Sequence, residues 1–269
     1  MNIEPARRTT DWLQANLRDP RVVVVDVRPP HFFRQGHIPG AHNLPDILLP
    51  YRSDGRPDPE GFCTKLGAVG VTPDSRVVLY DDGAAPSAAR LFWALAYLGH
   101  QIAALLDGGM TVWLREGRPF ETEASDAFPA DYGPSAVDTA VWAGTEDVLG
   151  AIGDPNAIIL DVRSPAEYLG LRALGARNGH IPTALNLEWT ENLVADETGA
   201  MRLRSLAALR EFYVQSGALP DKNVIVYCAS GVRSSHTFAV LKMLGYPSVA
   251  NYTAGWQEWG NRADTPVEQ

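Results

Sequence analysis

The chain contains the same set of sequence blocks twice, in the same order, and this duplication constrains its fold more than any other feature. Each half carries a β-branched run ending in Asp-Val-Arg, a Gly-His-Ile-Pro segment, a second apolar run ending in Tyr, and a short stretch in which Gly precedes Trp. The offset between the halves grows from 135 residues, between Asp26 and Asp161, to 147, between Asp81 and Cys228. Such a period is too long for a solenoid repeat and predicts two duplicated domains.

The paired blocks also predict the fold class of each half. The corresponding ranges are Val22–Arg28 and Ala157–Arg163, Gly36–Leu44 and Gly179–Leu187, Arg76–Asp81 and Asn223–Cys228, and Asp107–Trp113 and Thr253–Trp259. Their apolar runs are typical of buried parallel strands, and helical segments separate them. We therefore expect two α/β domains, each a mainly parallel sheet with helices on both faces.

The duplication sets approximate domain boundaries. Residues 1–120 are predicted to form the first domain and residues 136–269 the second. Residues 121–135 are the predicted linker, because this stretch is rich in Pro, Asp and Ala and has no apolar periodicity. Alternating residues 137–142 predict a short strand, and Thr145 is predicted to cap a helix ending near Ile152.

Composition excludes several classes of protein. The 269 residues include 23 basic and 32 acidic side chains, a net charge of -9 with no basic run, so we expect neither nucleic acid nor an anionic membrane as partner. No apolar stretch approaches the roughly 18 residues of a membrane span, and a soluble cytoplasmic protein is expected. The two cysteines, Cys63 and Cys228, predict neither a disulfide framework nor a metal site, and no cofactor is expected.

The segment from Cys228 to His236, Cys-Ala-Ser-Gly-Val-Arg-Ser-Ser-His, is the strongest candidate for chemistry. It joins a predicted strand to a helix expected from about Ser234 to Leu244, and open α/β sheets build their sites at the carboxyl ends of strands. Loop amides and a helix N-terminus both favour a thiolate. Gly231 allows a tight turn, and Arg233 supplies a permanent cation for an oxyanion.

Together, the Asp-Val-Arg, Gly-His-Ile-Pro, Cys-Ala-Ser-Gly-Val-Arg and Gly-Trp-Gln-Glu-Trp-Gly segments resemble the tandem-domain rhodanese family over nearly the whole chain. The resemblance implies a sulfurtransferase in which Cys228 takes a sulfane sulfur from thiosulfate or 3-mercaptopyruvate. The resulting persulfide then passes its sulfur to cyanide or a thiol. The implied substrate-binding residues are those of the loop: Ala229, Ser230, Gly231, Val232 and Arg233. Because Asp81 stands at the position of Cys228, the first domain is expected to be catalytically silent.

The resemblance leaves the sulfur donor open. Ser230 is similar to the family's mercaptopyruvate enzymes, but residues 53–60 lack the histidine that those enzymes carry there. The Arg-Ser-Ser-His continuation from Arg233 is similar to bacterial thiosulfate enzymes, so thiosulfate is the preferred donor and 3-mercaptopyruvate the alternative. Thiosulfate enzymes carry an arginine where this chain has Glu167; Arg172 and Arg177 are the candidate replacements.

Two other functions compete with sulfur transfer. Rhodanese-fold phosphatases and arsenate reductases also place Cys and Arg around an oxyanion, but their signature encloses five residues, whereas Cys228 and Arg233 enclose four. The tighter ring suits a single sulfur atom better than a tetrahedral phosphate. A non-catalytic binding module is the other alternative, because one fold hosts many functions.

Several conspicuous residues are interpreted as structural. Asp26 with Arg28, and Asp161 with Arg163, recur in both halves and are predicted to form structural ion pairs. His37 and His180 recur in the same way and are predicted to hold turns. A structural role is also favoured for His236, and Cys63 is predicted to be a buried, inert thiol.

Overall fold

The computed structural model describes residues 6–46, 49–123, 128–133, 136–172 and 175–269. The chain divides into two compact units, neither of them a single continuous range. The first unit comprises Met1–Arg52, Pro57–Asp138 and Val194–Leu203, and the second comprises Ser53–Arg56, Thr139–Leu193 and Arg204–Gln269. Ser53–Arg56 therefore groups with the second unit and Val194–Leu203 with the first, although their neighbours in the chain belong to the other unit. The predicted linker, residues 121–135, falls partly on residues 124–127 and 134–135, which lie outside the described residues.

The first unit is built on a five-stranded sheet with strand order β1-β5-β4-β2-β3, and its paired strands all run parallel. In chain order its elements are β1 (Arg7–Arg8), α1 (Thr10–Asn16), β2 (Val22–Asp26), α2 (Pro30–Gln35), β3 (His42–Asn43), α3 (Pro59–Ala68), β4 (Arg76–Tyr80), α4 (Pro86–Tyr97), β5 (Ala103–Leu106) and α5 (Gly109–Arg115).

The second unit is built on a four-stranded parallel sheet, β11-β10-β6-β7. The short strands β8 and β9 form a two-stranded sheet of their own, in the segment Val194–Leu203 that groups with the first unit and in the residue before it. From residue 139 onwards the elements in chain order are α6 (Thr145–Ala151), β6 (Ala157–Asp161), α7 (Pro165–Tyr168), β7 (Leu185–Asn186), β8 (Leu193–Ala195), β9 (Met201–Leu203), α8 (Leu206–Gln215), β10 (Asn223–Tyr227), α9 (Val232–Met243), β11 (Val249–Tyr252) and α10 (Gly255–Trp259); short 3₁₀ helices span Thr139–Val141 and Trp189–Asn192. Within the described ranges, no helix is both long and apolar enough to cross a bilayer.

Burial along the strands explains why the apolar runs fold as they do. Successive strand residues point to opposite faces of a sheet, yet Val24 and Val25 are both buried, as are Ile159 and Leu160. Both faces of each sheet are therefore covered, which is typical of parallel strands between helices. The predicted α/β class with mainly parallel sheets is confirmed.

The duplicated Asp and Arg at the ends of β2 and β6 form buried ion pairs. Arg163 donates from Nε and Nη2 to the Asp161 carboxylate at 2.6 to 3.0 Å, and Nη2 also reaches the Gly179 carbonyl at 2.8 Å. The Tyr227 hydroxyl donates to the same carboxylate at 2.6 Å. Asp26 and Arg28 repeat the arrangement in the first unit, which agrees with a structural role.

The region after the predicted linker differs from expectation. The strand predicted over residues 137–142 was wrong: Thr139–Val141 is a 3₁₀ helix, and only Trp142 forms an isolated bridge, with Asn251. Alternation over so few residues also fits a turn that buries Val141 alone. Thr145 is the first residue of α6 and not its cap; the cap is Gly144, whose amide donates to the Asp147 carboxylate at 2.8 Å.

Replacing Asp161 with Asn tests the importance of the buried pair. Because the Arg163 guanidinium would lose its counter-charge while only 1% exposed, Asp161→Asn is expected to lower the free energy of unfolding by about 3 to 5 kcal/mol. Denaturant unfolding measures this loss. The exposed Asp221 supplies the control variant Asp221→Asn, which should unfold like the parent. A loss below about 1 kcal/mol for Asp161→Asn would contradict a structural role.

Candidate functional site

Cys228 lies at the carboxyl end of β10, a strand that pairs with β6 on one side and β11 on the other. Its side chain is 1% exposed. Ala229 and Ser230 are half-buried, and Gly231 caps α9 with a left-handed φ of 84°. The helix begins at Val232, two residues earlier than predicted, so Arg233 lies in its first turn. The thiol is thus at the bottom of a short loop against a helix N-terminus.

Two hydrogen bonds from α10 orient this loop. The amides of Trp256 and Gln257 donate to the carbonyls of Cys228 and Ala229 at 2.9 and 3.0 Å. In a trans peptide the carbonyl and the following N–H point in opposite directions, so the amides of Ala229 and Ser230 face away from α10. A Cβ at Gly255 would lie 2.5 Å from the Cys228 carbonyl oxygen. Gly255 therefore permits this close approach, a role that the repeated Gly-Trp block alone did not reveal.

The loop amides are left without protein acceptors. Across the described part of the chain, the backbone N–H groups of residues 229–234 donate no hydrogen bond to another protein atom. Three of them belong to the first turn of α9, where N–H groups lack helical partners and the helix dipole is positive. The Ser234 hydroxyl adds a further donor, directed at the Cys228 sulfur over 3.6 Å. This arrangement can bind an anion at or beside the sulfur.

The first unit has an equivalent loop, in which a carboxylate of the protein accepts the loop amides. The Asp81 and Asp82 carbonyls accept the amides of Met110 and Thr111, both at 2.9 Å, as the corresponding carbonyls do in the second unit. The Asp81 carboxylate accepts N–H groups of its own loop and of the start of α4, from Gly83, Ala85, Ser87 and Ala88, at 3.0 to 3.5 Å. Burial raises the pKa of this carboxyl, and these amides oppose the shift. Amides in this type of loop thus converge on the first side chain after the strand.

Arg233 forms a bidentate ion pair with Glu167. Its Nη1 and Nη2 donate to Oε2 and Oε1 of Glu167, each at 2.8 Å. Ser164 holds the same carboxylate through its amide and hydroxyl at 3.0 and 2.8 Å. Burial opposes ionisation of Glu167, but the hydrogen bonds from Arg233 and Ser164 outweigh it and lower its pKa to about 2. From the sequence, Glu167 is notable only because thiosulfate enzymes carry an arginine at its position. In the structure Glu167 is the ion-pair partner of Arg233.

Arg172 and Arg177, the candidate replacements for the family arginine at the Glu167 position, lie in different environments. Arg177 donates from Nη1 and Nη2 to the Thr265 and Trp259 carbonyls at 2.6 and 2.7 Å, and its guanidinium is occupied in holding the C-terminal segment. Arg172 is exposed, next to residues 173–174, which lie outside the described residues. In the described contacts, neither arginine reaches the Cys228 loop.

The histidines are engaged in packing. His236 is 1% exposed on α9, and burial lowers its pKa to about 4, so the ring is neutral at pH 7. Its ring packs edge-on against Trp189, with centroids 5.4 Å apart. His37 and His180 each contact a backbone carbonyl through Nδ1 at 3.0 Å, those of Phe33 and Tyr168. These contacts agree with structural roles.

Cys63 is half-buried on α3, more exposed than the buried thiol expected from the sequence. It borders a cavity of about 740 Å³ in the first unit, between α3 and residues 129–133. No residue of the Cys228 loop lines this cavity. The two cysteines therefore occupy unrelated environments.

Comparison with known proteins agrees with the duplicated architecture. The family model described as "Rhodanese-like domain" matches residues 9–116 and 145–262. A thiosulfate sulfurtransferase of Azotobacter vinelandii is 37% identical over 273 residues, covering 99% of this chain and 96% of the relative. The sulfur carrier protein TtuD of Thermus thermophilus is 38% identical over 275 residues, covering 96% of this chain and 95% of the relative.

Solved structures share the fold at lower identity. An anaerobic ergothioneine biosynthesis enzyme from Chlorobium limicola, in complex with trimethyl histidine, superimposes with a TM-score of 0.87 at 22% identity. The match covers 99% of this chain and 71% of that chain. At this identity the similarity shows the fold alone.

The Glu167 ion pair predicts a specific pH dependence of stability. Its pKa falls from 4.5 to about 2 on folding, so the pair stabilises the fold fully above pH 4.5 and loses its effect as the pH falls towards 2. Glu167→Gln should therefore lower the free energy of unfolding by about 1 to 3 kcal/mol at pH 7. The difference from the parent should shrink between pH 4.5 and 2.

Unfolding curves at several pH values measure this convergence. Glu211→Gln, which removes an exposed carboxylate on α8, is the control and should follow the parent throughout. If the parent and Glu167→Gln curves run parallel over the acid range, the ion pair does not carry the stabilisation.

Proposed function

The chain belongs to the rhodanese-like family, and from that premise we propose that it moves a sulfane sulfur from thiosulfate to cyanide or a thiol through a persulfide on Cys228. The names of its relatives support sulfur transfer. Relatives of nearly equal length are named thiosulfate sulfurtransferase, in Azotobacter vinelandii and Pseudomonas aeruginosa, and sulfur carrier protein, in Thermus thermophilus. The matches cover 94 to 96% of those relatives. We expect the reaction to take place in the cytoplasm.

One observation carries the proposal: the amides of residues 229–234 directly follow a buried thiol in the chain and, in the described part of the protein, have no protein acceptor. N–H groups without a protein acceptor at a helix N-terminus can be satisfied by a bound anion. A thiolate, and then the terminal sulfur of a persulfide, places negative charge at this position. The Asp81 carboxylate plays the equivalent part in the first unit.

The proposed reaction has two displacements. The Cys228 thiolate attacks the outer sulfur of thiosulfate; the sulfur–sulfur bond of the donor breaks, and sulfite leaves with the bonding electron pair. The product is a Cys228 persulfide anion, held by the loop amides and the positive end of α9. Cyanide or a thiolate then attacks the terminal sulfur and restores the Cys228 thiolate. Charge is conserved in both steps, and neither needs an external oxidant.

Residues of the loop have distinct roles in this scheme. Ala229, Ser230, Gly231, Val232 and Arg233 supply the amides that bind the transferred sulfur. The Arg233 guanidinium lies close enough to interact with a Cys228 thiolate, although its two Nη atoms are already bound to Glu167. Asp81 cannot store a transferable sulfur, so the first unit is proposed to be silent.

A second donor has a specific observation in its favour. Because Glu167 neutralises Arg233, a singly charged donor such as 3-mercaptopyruvate loses less electrostatic attraction at this site than the doubly charged thiosulfate does. Attack of the Cys228 thiolate on its sulfur would break the sulfur–carbon bond and expel pyruvate enolate, which takes up the proton of the donor thiol and leaves a Cys228 persulfide anion. Relative specificity constants for the two donors decide between them.

Replacement of each cysteine by serine tests the proposed nucleophile. Cys228→Ser is expected to lower sulfur transfer from thiosulfate by about three orders of magnitude or more, because a hydroxyl forms no stable persulfide here. Intact-mass spectrometry after thiosulfate treatment should show one added sulfur on the parent and on Cys63→Ser, and none on Cys228→Ser.

Other outcomes would identify the rival functions. A parent protein that gains no sulfur but hydrolyses aryl phosphates through Cys228 would be a phosphatase. A parent with neither property would be a binding module. An added sulfur that persists in Cys228→Ser and disappears in Cys63→Ser would move the reactive thiol to α3.

A further inference from the structure

Arg233 is the only cationic side chain in the segment from Cys228 to His236, and its charge is already compensated. Both of its Nη atoms are bound to the two carboxylate oxygens of Glu167 at 2.8 Å. Two parallel hydrogen bonds of this kind give geometric specificity as well as strength. An incoming anion therefore meets an ion pair and not an isolated cation.

Glu167 is held so that it cannot release Arg233 by simple rotation. Its side chain is 3% exposed, and Oε2 accepts from the Ser164 amide, the Ser164 hydroxyl and Arg233 Nη1. Ser164 caps the short helix α7, so the carboxylate is bound to the backbone that carries it. The carboxylate is a permanent component of the site.

Neither His236 nor the Asp161–Arg163 pair adds net charge. His236 is buried and neutral at pH 7. Arg163 is bound to Asp161, and the two side chains are at most 1% exposed. The net charge of these side chains, together with Arg233 and Glu167, is zero, whereas the backbone amides and the N-terminus of α9 contribute positive potential at the loop.

We propose that Glu167 is a specificity-determining residue, which lowers the affinity of the Cys228 site for doubly charged sulfur donors relative to singly charged ones. The inference rests on the proposed sulfur transfer and extends it to donor charge. A carboxylate beside Arg233 cancels one unit of positive charge. The electrostatic attraction that is lost is about twice as large for a dianion as for a monoanion. The same effect favours release of sulfite, a dianionic product.

Two donors with the same reacting sulfur test the proposal: thiosulfate, a dianion, and benzenethiosulfonate, a monoanion. Glu167→Gln keeps the shape of the side chain and removes its charge. We expect the ratio of kcat/KM for thiosulfate over benzenethiosulfonate to rise by about tenfold, with a steeper dependence of thiosulfate kcat/KM on ionic strength.

A series of variants separates charge from structural damage. Arg233→Gln should lower the ratio below that of the parent, and Glu167→Gln/Arg233→Gln, which removes both charges, should return it near the parent value. A purely structural role predicts instead that the double variant is impaired with both donors and that the ratio stays constant. Glu146→Gln, an exposed carboxylate on α6, controls for the change in total charge and should leave the ratio unchanged.

Binding without chemistry distinguishes this proposal from the proposed function. In the Cys228→Ser background, calorimetry should show tighter thiosulfate binding after Glu167→Gln, by about tenfold, and a smaller change for benzenethiosulfonate. If this binding order holds while the parent transfers no sulfur, the assignment of Glu167 stands and the proposed function fails. Equal changes for both anions, or weaker thiosulfate binding, would overturn the role of Glu167.

Discussion

The carbonyl groups of Cys228 and Ala229 are anchored by the first amides of α10, and the geometry of the site depends on this contact. Because the carbonyl and the following N–H of a trans peptide point in opposite directions, the N–H groups of Ala229 and Ser230 point away from α10. The contact requires Gly255, because any Cβ at that position would meet the Cys228 carbonyl. A loop of neutral residues thereby becomes an anion cradle through peptide geometry alone.

The two units show what this cradle does with different side chains. In the first unit the strand is followed by Asp81, whose carboxylate consumes the amides that the loop presents. In the second unit Cys228 is neutral when protonated and leaves the equivalent donors unpaired. The connection between strand and helix is also one residue longer in the first unit, since residues 81–85 separate β4 from α4 whereas residues 228–231 separate β10 from α9. Both units therefore keep the hydrogen bonds to the loop carbonyls, whereas the side chain that follows the strand is Asp81 in one and Cys228 in the other.

Electrostatic balance distinguishes the site from a simple basic pocket. Sequence reasoning counted Arg233 as a free cation and searched for a second arginine at Arg172 or Arg177. In the structure Arg177 donates to carbonyls of the C-terminal segment, and Glu167 is the buried counter-ion of Arg233. In our proposal the attraction for anions comes chiefly from oriented amides, whose direction is set by the backbone, and Glu167 moderates it. Such a field acts at short range and favours a single sulfur atom at the helix N-terminus.

The sequence by itself determined the duplicated α/β architecture, the position of Cys228 after a buried strand and the loss of the thiol at Asp81, because these follow from local patterns that repeat along the chain. Short β-branched runs such as Val22–Val25 are typical of buried parallel strands, and a residue directly after such a strand lies at the carboxyl edge of the sheet. Tertiary structure alone decided that Glu167 neutralises Arg233, that Gly255 permits the close contact with the loop, and that Thr139–Val141 forms a 3₁₀ helix. Glu167 and Arg233 are far apart in the chain, and no local pattern encodes a contact that depends on how separate strands and helices pack.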